Sequence, residues 1–197
     1  MNDLNLDIIA LQETWISSNA SPTIKADIAA PDCSCQHVRR ETASRGGGLT
    51  LVYRQYLAVK PYLIDDIFKP SSFEVQLMKI NTTVPPTTIV NIYRPPSSSR
   101  AVFLDYLAEL IAVISADTNA GLLLCGDVNC AGTNADNIDD DLQSVFDSFG
   151  LTQHVNTSTR GDNLLDIIVT EDPLAVSGLS VDDAGLVRDH RLVIAKL

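Results

Sequence analysis

No apolar stretch in the 197-residue chain approaches the roughly 18 residues that a membrane span needs. Met1 is followed by the polar "NDLNLD", so no secretory leader is expected either. Cysteine is scarce: Cys33, Cys35, Cys125 and Cys130 are too few and too poorly spaced for a disulfide framework. The paired C-x-x-C ligands of a zinc site are missing as well, which leaves the reduced thiols of a soluble protein acting inside the cell. Basic residues are sparse in one half only. Residues 1–100 carry ten Lys/Arg against nine Asp/Glu, while residues 101–197 carry four against sixteen, for a net charge of −11. That imbalance excludes a surface that grips polyanions everywhere. A nucleic acid would have to lean on the first half, where Arg39, Arg40, Arg45, Arg54 and Arg94 lie, or on a bound cation.

What is present fits one globular domain spanning residues 1–197. Hydrophobic residues make up 45% and charged residues 20%, and the length suffices to bury a two-layer core. No repeat or linker interrupts it. β-Branched runs bounded by turn residues predict strands at 7–13, 48–54, 73–80, 87–94, 121–127, 164–170 and 191–197. From Arg100 to Asp117, Phe103, Leu107, Leu110, Ile111 and Ile114 fall on one helical stripe after a Ser-rich cap. From Asp139 to Phe149, Leu142, Val145, Phe146 and Phe149 do the same, with acids where the macrodipole favours them and Gly150 as the stop. Strands outnumber helices in an irregular order, so an α+β sandwich of two sheets fits better than a doubly wound parallel sheet. His37 and His154 have no companion pattern and read as surface or loop residues.

The stretch "LLLCGDVNCAG" (122–132) ends an apolar run on Asp127 and offers Asn129 two residues on. Other predicted strands share the habit: "DIIALQE" ends on Glu13, "TTIVNIY" on Tyr93, and the last strand is entered through Asp189-His190. Polar groups at several strand ends can converge on one site. Glu, Asp and Asn oxygens suit Mg²⁺, which takes one or two carboxylates plus a substrate phosphate. Phosphodiester hydrolysis needs a positioned water, an acceptor for its proton, and donors or cations on the phosphate oxygens. In that chemistry Asp127 orients the water, Asn129 and His190 hold the phosphate, and Glu13 carries the metal. Each residue also has a plainer reading. An acid at a strand end is often only solvated, Tyr93 alone fits packing, and Asp189-His190 fits a structural pair.

Glu13 in "LQETW", Tyr93 in "NIYRPP", Asp127 and Asn129 in "CGDVN", Asp166 in "LLDIIVT" and Asp189-His190 before a final strand occur in that order. Together they resemble the endonuclease/exonuclease/phosphatase superfamily. "GGGLTLVYR", "YRPPSSS" and "SFGLTQHVNTSTRGDNLLDIIVT" look like the endonuclease domain of LINE-type non-LTR retrotransposons of the jockey kind, over nearly the whole chain. The resemblance implies a four-layer αββα sandwich of two mainly antiparallel sheets with outer helices. This chain begins just before the family's second strand, so the family's first strand and helix are expected to be missing.

The resemblance also implies roles. Glu13 and Asp189 are metal-side acids, with Mg²⁺ or Mn²⁺ as the ion. Tyr93 stands beside the scissile phosphate, Asp127 orients or deprotonates the attacking water with Asn129 next to it, and His190 binds the phosphate, oriented by Asp166. Asn91 and Arg94, beside Tyr93, and Arg188, where the family usually has serine, are assigned to substrate binding. The implied activity is nicking of one strand of nuclear DNA, leaving a 3′-hydroxyl from which a reverse transcriptase domain of the same polyprotein primes. Two alternatives accompany it: a phosphatase of the same superfamily, and a truncated, catalytically impaired domain that binds DNA without cutting it. No membrane partner is expected.

Overall fold

Strand β6 (Thr87–Tyr93) shows in one element how the layers arise. Side chains alternate between the two faces of a strand. Val90 and Ile92 enter one buried apolar cluster, and Ile89 enters another. The strand is therefore covered on both sides. The computed structural model describes residues 4–16, 29–39, 46–63, 68–173, 175–183 and 189–197. In it β6 lies inside a six-stranded sheet ordered β4 (Val59–Pro61), β5 (Glu74–Ile80), β6, β7 (Gly121–Asp127), β9 (Asp166–Thr170) and β8 (Thr152–Gln153). A three-stranded antiparallel sheet runs β1 (Ile8–Leu11), β3 (Leu49–Arg54), β2 (Cys33–Val38), and β10 (Gly178–Asp182) pairs with β11 (Leu192–Lys196).

Between β6 and β7 the chain forms helix α1 (Arg100–Ser115), and these two strands are the parallel neighbours in the large sheet. Parallel neighbours require such a crossover. Phe103, Leu107, Leu110, Ile111 and Ile114 of α1 pack on Val90, Ile92, Leu122 and Leu124. Each such side chain contributes roughly 1.5–3 kcal/mol on burial. Helix α2 (Asp140–Ser148) adds Leu142 and Phe146 to the same cluster. Asp139 caps it by accepting from the N–H groups of Asp141 and Leu142 at 3.1 and 3.2 Å. Arg100 donates to both Asp139 and Asp141 and so ties the two helix starts together. On the inner face, Leu51 and Tyr53 of β3 meet Met78, Ile80, Ile89 and Leu123, which closes the sandwich.

The α+β sandwich matches the expectation, with differences at its margins. The described residues hold no helix outside the three-stranded sheet. The first predicted strand stops at Leu11, so Gln12 and Glu13 lie beyond it. Strand β2 was not expected, and it corrects the reading of His37. This residue lies on β2, half-buried, with Nδ1 2.8 Å from Thr50 Oγ1. His154 does follow β8 as a loop residue, but it is half-buried against Thr170 Oγ1 at 2.7 Å. None of the four cysteines is in a disulfide. No helix among the described residues is long and apolar enough to cross a membrane.

At Gly126, β7 packs closely against the Ile92 backbone of β6. The φ of Gly126 is +135°, and a Cβ there would stand 2.0 Å from the Ile92 carbonyl oxygen. Gly126→Ala is therefore expected to lose roughly 3 kcal/mol or more, or to fail to fold. Gly121→Ala at the other end of the strand, where the nearest atom is 4.0 Å away, should unfold within about 0.5 kcal/mol of wild type. Urea unfolding of the two variants checks this.

Candidate active site

Strand register sets three polar side chains in a row. Tyr93 is the Cα partner of Asp127 across β6 and β7, and Asp127 is the partner of Asp166 across β7 and β9. By alternation they share the inner face with Ile89 and Leu123, deeper in the sandwich. From the other sheet the chain leaves β1 and turns at Glu13, which has a φ of +51°. There Glu13 Oε1 accepts the Tyr93 hydroxyl at 2.6 Å.

Asp127 is the most enclosed of these groups, at 6% exposure. Its Oδ1 accepts the Asn129 backbone N–H at 3.0 Å, and its Oδ2 accepts the Asn129 side-chain amide at 3.0 Å. The same amide donates to the Arg94 carbonyl at 2.8 Å, with Asn129 in the left-handed region at φ +47°. Burial pushes the Asp127 carboxyl up to about 7, and the neighbouring charge of Asp166 adds to the rise. His190 stands between the two acids. Its Nδ1 lies 2.9 Å from Asp166 Oδ2 and its Nε2 3.9 Å from Asp127 Oδ2. The hydrogen bond to Asp166 raises its pKa above the usual imidazole value, so the cation is favoured.

Two positioning residues escaped the sequence reading. Thr159 is fully buried, and its hydroxyl accepts the N–H groups of Leu165 and Asp166 at 3.0 and 3.1 Å. Its carbonyl accepts the Arg191 N–H at 2.7 Å, so one residue holds both Asp166 and the backbone beside His190. Glu74 accepts the Gly48 N–H at 2.6 Å, while the Gly48 and Gly47 carbonyls accept the N–H groups of Thr14 and Trp15. The Glu13 turn is thereby tied to the large sheet. Both lie inside quoted sequence blocks or strands, but nothing in their local pattern marks them.

The remaining assigned residues take these places. Asn91 is fully buried. It accepts from Gln12 Nε2 at 2.6 Å and donates to Gln76 Oε1 at 3.2 Å, a link between the sheets. Arg94 is 5% exposed. Its guanidinium donates to the carbonyls of Ser98 and Asn129 at 2.6 and 2.9 Å and lies 5.6 Å from the Phe103 ring centroid. It braces the Asp127–Asn129 turn and does not face solvent. Asp189 makes an exposed ion pair with Arg160 at 2.5 Å. Arg160, half exposed, is the cation that the structure brings near His190. Arg188 lies outside the described residues.

Among the described residues, Asp127, Asp166 and His190 form a group whose ligand atoms all lie within 4.8 Å of one another and could hold a metal ion. Carboxylate oxygens suit a hard divalent cation. The imidazole Nδ1, however, already faces Asp166. Further oxygen donors, exposed to solvent, are those of Glu13, across Tyr93 from Asp127.

The raised Asp127 pKa carries a stability signature. Between the unfolded value of 3.8 and about 7 the folded state binds the extra proton, so stability falls as pH rises through that window. The raised His190 acts in the same direction. Its contribution is present below 6.5 and is lost as pH rises through the folded value. Asp127→Asn in EDTA should therefore gain on the order of 2 kcal/mol over wild type at about pH 8, with the gap closing towards about pH 4. Thermal melts across pH check it.

A model of the endonuclease/exonuclease/phosphatase family matches residues 1–190. No curated protein sequence matches the chain. Among solved structures, the endonuclease domain of TRAS1, a telomere-specific non-LTR retrotransposon, superposes with a TM-score of 0.72 at 15% identity, covering 100% of this chain and 88% of that one. The AP endonuclease of Leishmania major gives 0.70 at 12% identity over 97% and 78%. A mannosyl-6-phosphatase of Bacteroides thetaiotaomicron gives 0.68 at 16% over 99% and 86%. At these identities the superpositions speak for the fold, and the family model spans nearly the whole sequence: the chain belongs to the endonuclease/exonuclease/phosphatase family.

Proposed function

We propose that this chain is a divalent-metal-dependent DNA endonuclease that nicks one strand and leaves a 3′-hydroxyl. The observation that carries the reading is the pairing of a buried carboxylate near neutrality, Asp127, with a His190 imidazole held by Asp166 2.9 Å away. An acceptor and a cationic donor face one another there. Asp127 takes a proton from water as the water oxygen attacks phosphorus. The bond from phosphorus to O3′ breaks, and O3′ takes up a proton from solvent. Asn129 holds the Asp127 carboxylate in orientation. The His190 imidazolium donates to a phosphate oxygen. Tyr93 fixes the Glu13 carboxylate through its hydroxyl. Glu13 would hold a divalent ion, Mg²⁺ or Mn²⁺, which would supply positive charge beside the acidic second half of the chain.

Support for DNA over a small phosphate ester comes from the likeness to the retrotransposon endonuclease domain and from sequence blocks of that kind. The 3′-hydroxyl would prime a reverse transcriptase domain of the same polyprotein, acting on nuclear DNA. Arg160 replaces Arg94 as the proposed phosphate-side cation.

Nicking of supercoiled plasmid, with Mg²⁺ and with EDTA, tests the reading. Wild type should nick only with the metal, and Asp127→Ala and His190→Ala should each be slower by about 100-fold or more while remaining folded. Glu13→Gln should raise the Mg²⁺ concentration needed. Intact plasmid with folded wild type, undiminished nicking by Asp127→Ala, or release of inorganic phosphate from a sugar phosphate instead would each overturn it.

A further inference from the structure

An indole stands beside the site with no catalytic task. Trp15 is the chain's sole tryptophan and is 65% exposed, although large aromatic side chains are usually well buried. It is not loosely placed. Its backbone N–H donates to the Gly47 carbonyl at 2.9 Å, the Thr14 backbone N–H donates to the Gly48 carbonyl at 3.1 Å, and the Gly48 N–H in turn donates to Glu74. Its backbone φ is +55°, in the left-handed region, two residues after Glu13 at +51°. A bulky residue held there is uncommon, and such strain concentrates at functional sites. A Cβ on Gly46 would meet the indole Cε2 and Cζ2 at 3.8 Å and Glu13 Oε1 at 3.9 Å. The ring and the carboxylate are thus neighbours across one glycine.

Charge supplies the second line of argument. A chain of net charge −11, with only its first half near neutral, offers DNA little affinity from counterion release. Contact with the uncharged parts of the nucleotide must make up the difference. An aromatic face carried on a held backbone does so with a reduced ordering cost.

Resting on the endonuclease reading, we propose that Trp15 is a substrate-binding platform whose indole stacks on a nucleotide adjoining the scissile phosphate. It sets how tightly DNA binds and takes no part in the chemistry. Stacking of this kind tolerates any base, so it adds affinity at a deformable step without reading sequence.

Because Trp15 is the sole tryptophan, its emission reports the contact directly. Asp127→Asn protein with Mg²⁺ is titrated with a short fluorescein-labelled duplex. Label anisotropy gives Kd, and tryptophan emission with acrylamide quenching gives the environment of the ring. Binding should quench the emission and shield the ring from acrylamide. Trp15→Ala should weaken Kd about tenfold, by the same factor at low and high salt, with Tm unchanged, and Trp15→Phe should recover most of the loss. DNA binding that leaves the emission and acrylamide access unaltered, or a Trp15→Ala Kd equal to that of the parent, would overturn the platform while the endonuclease reading stands. Folded wild-type protein that neither binds nor nicks DNA would overturn both.

Discussion

A carboxylate that burial drives towards neutrality, Asp127 at the end of β7, is the constraint to which most of the polar architecture answers. A second acid, Asp166, is its register partner, so the sheet itself brings two like charges together. Left alone, that pair would be costly. Asn129 satisfies both Asp127 oxygens, His190 stands between the two acids, and Thr159 fixes Asp166 through its backbone. Arg94 extends this support by binding the carbonyl of Asn129 from below. A perturbed carboxylate sustained by so many partners is what an acid–base site requires.

The second constraint is the seam between the sheets. Glu13 lies just past β1 of the three-stranded sheet, and Tyr93, Asp127 and Asp166 come from the six-stranded one, so the site exists only when the two are aligned. Gln12, Asn91 and Gln76 form a polar bridge across the interior next to the apolar cluster of Leu51, Met78 and Ile89. Apolar contacts tolerate sliding, and a fully bonded amide chain does not. Glu74 adds a second stitch through Gly48.

Much of this was legible in the chain because strand alternation is a local property. The runs at 49–54, 74–80, 87–93 and 121–127 show it within a residue or two of their true limits. Strand β2 was missed because "CSCQHV" carries polar residues on an edge, where only one neighbour supports it. The burial of Asn91 and Arg94 was not legible for a different reason. Asn91 shares a face with Tyr93 and Asp127 but lies one pair deeper, beneath Gln12. Arg94 follows Tyr93 onto the opposite side, where Phe103 and the Ser98 carbonyl receive it. Depth and side relative to a partner sheet are not written in a single strand.

The sequence by itself determined the sandwich class, the strands that end on Tyr93 and Asp127, and the order of the family's blocks, because periodicity and short motifs act over a few residues. Tertiary structure alone decided which polar residues face one another. The Asp166–His190 bond closes 24 residues, and the Glu13–Tyr93 bond closes 80. It also decided which are buried supports, as with Asn91, Arg94 and Thr159. Such pairings depend on register between strands and on how two sheets stack, which only the folded chain's competition for buried contacts resolves.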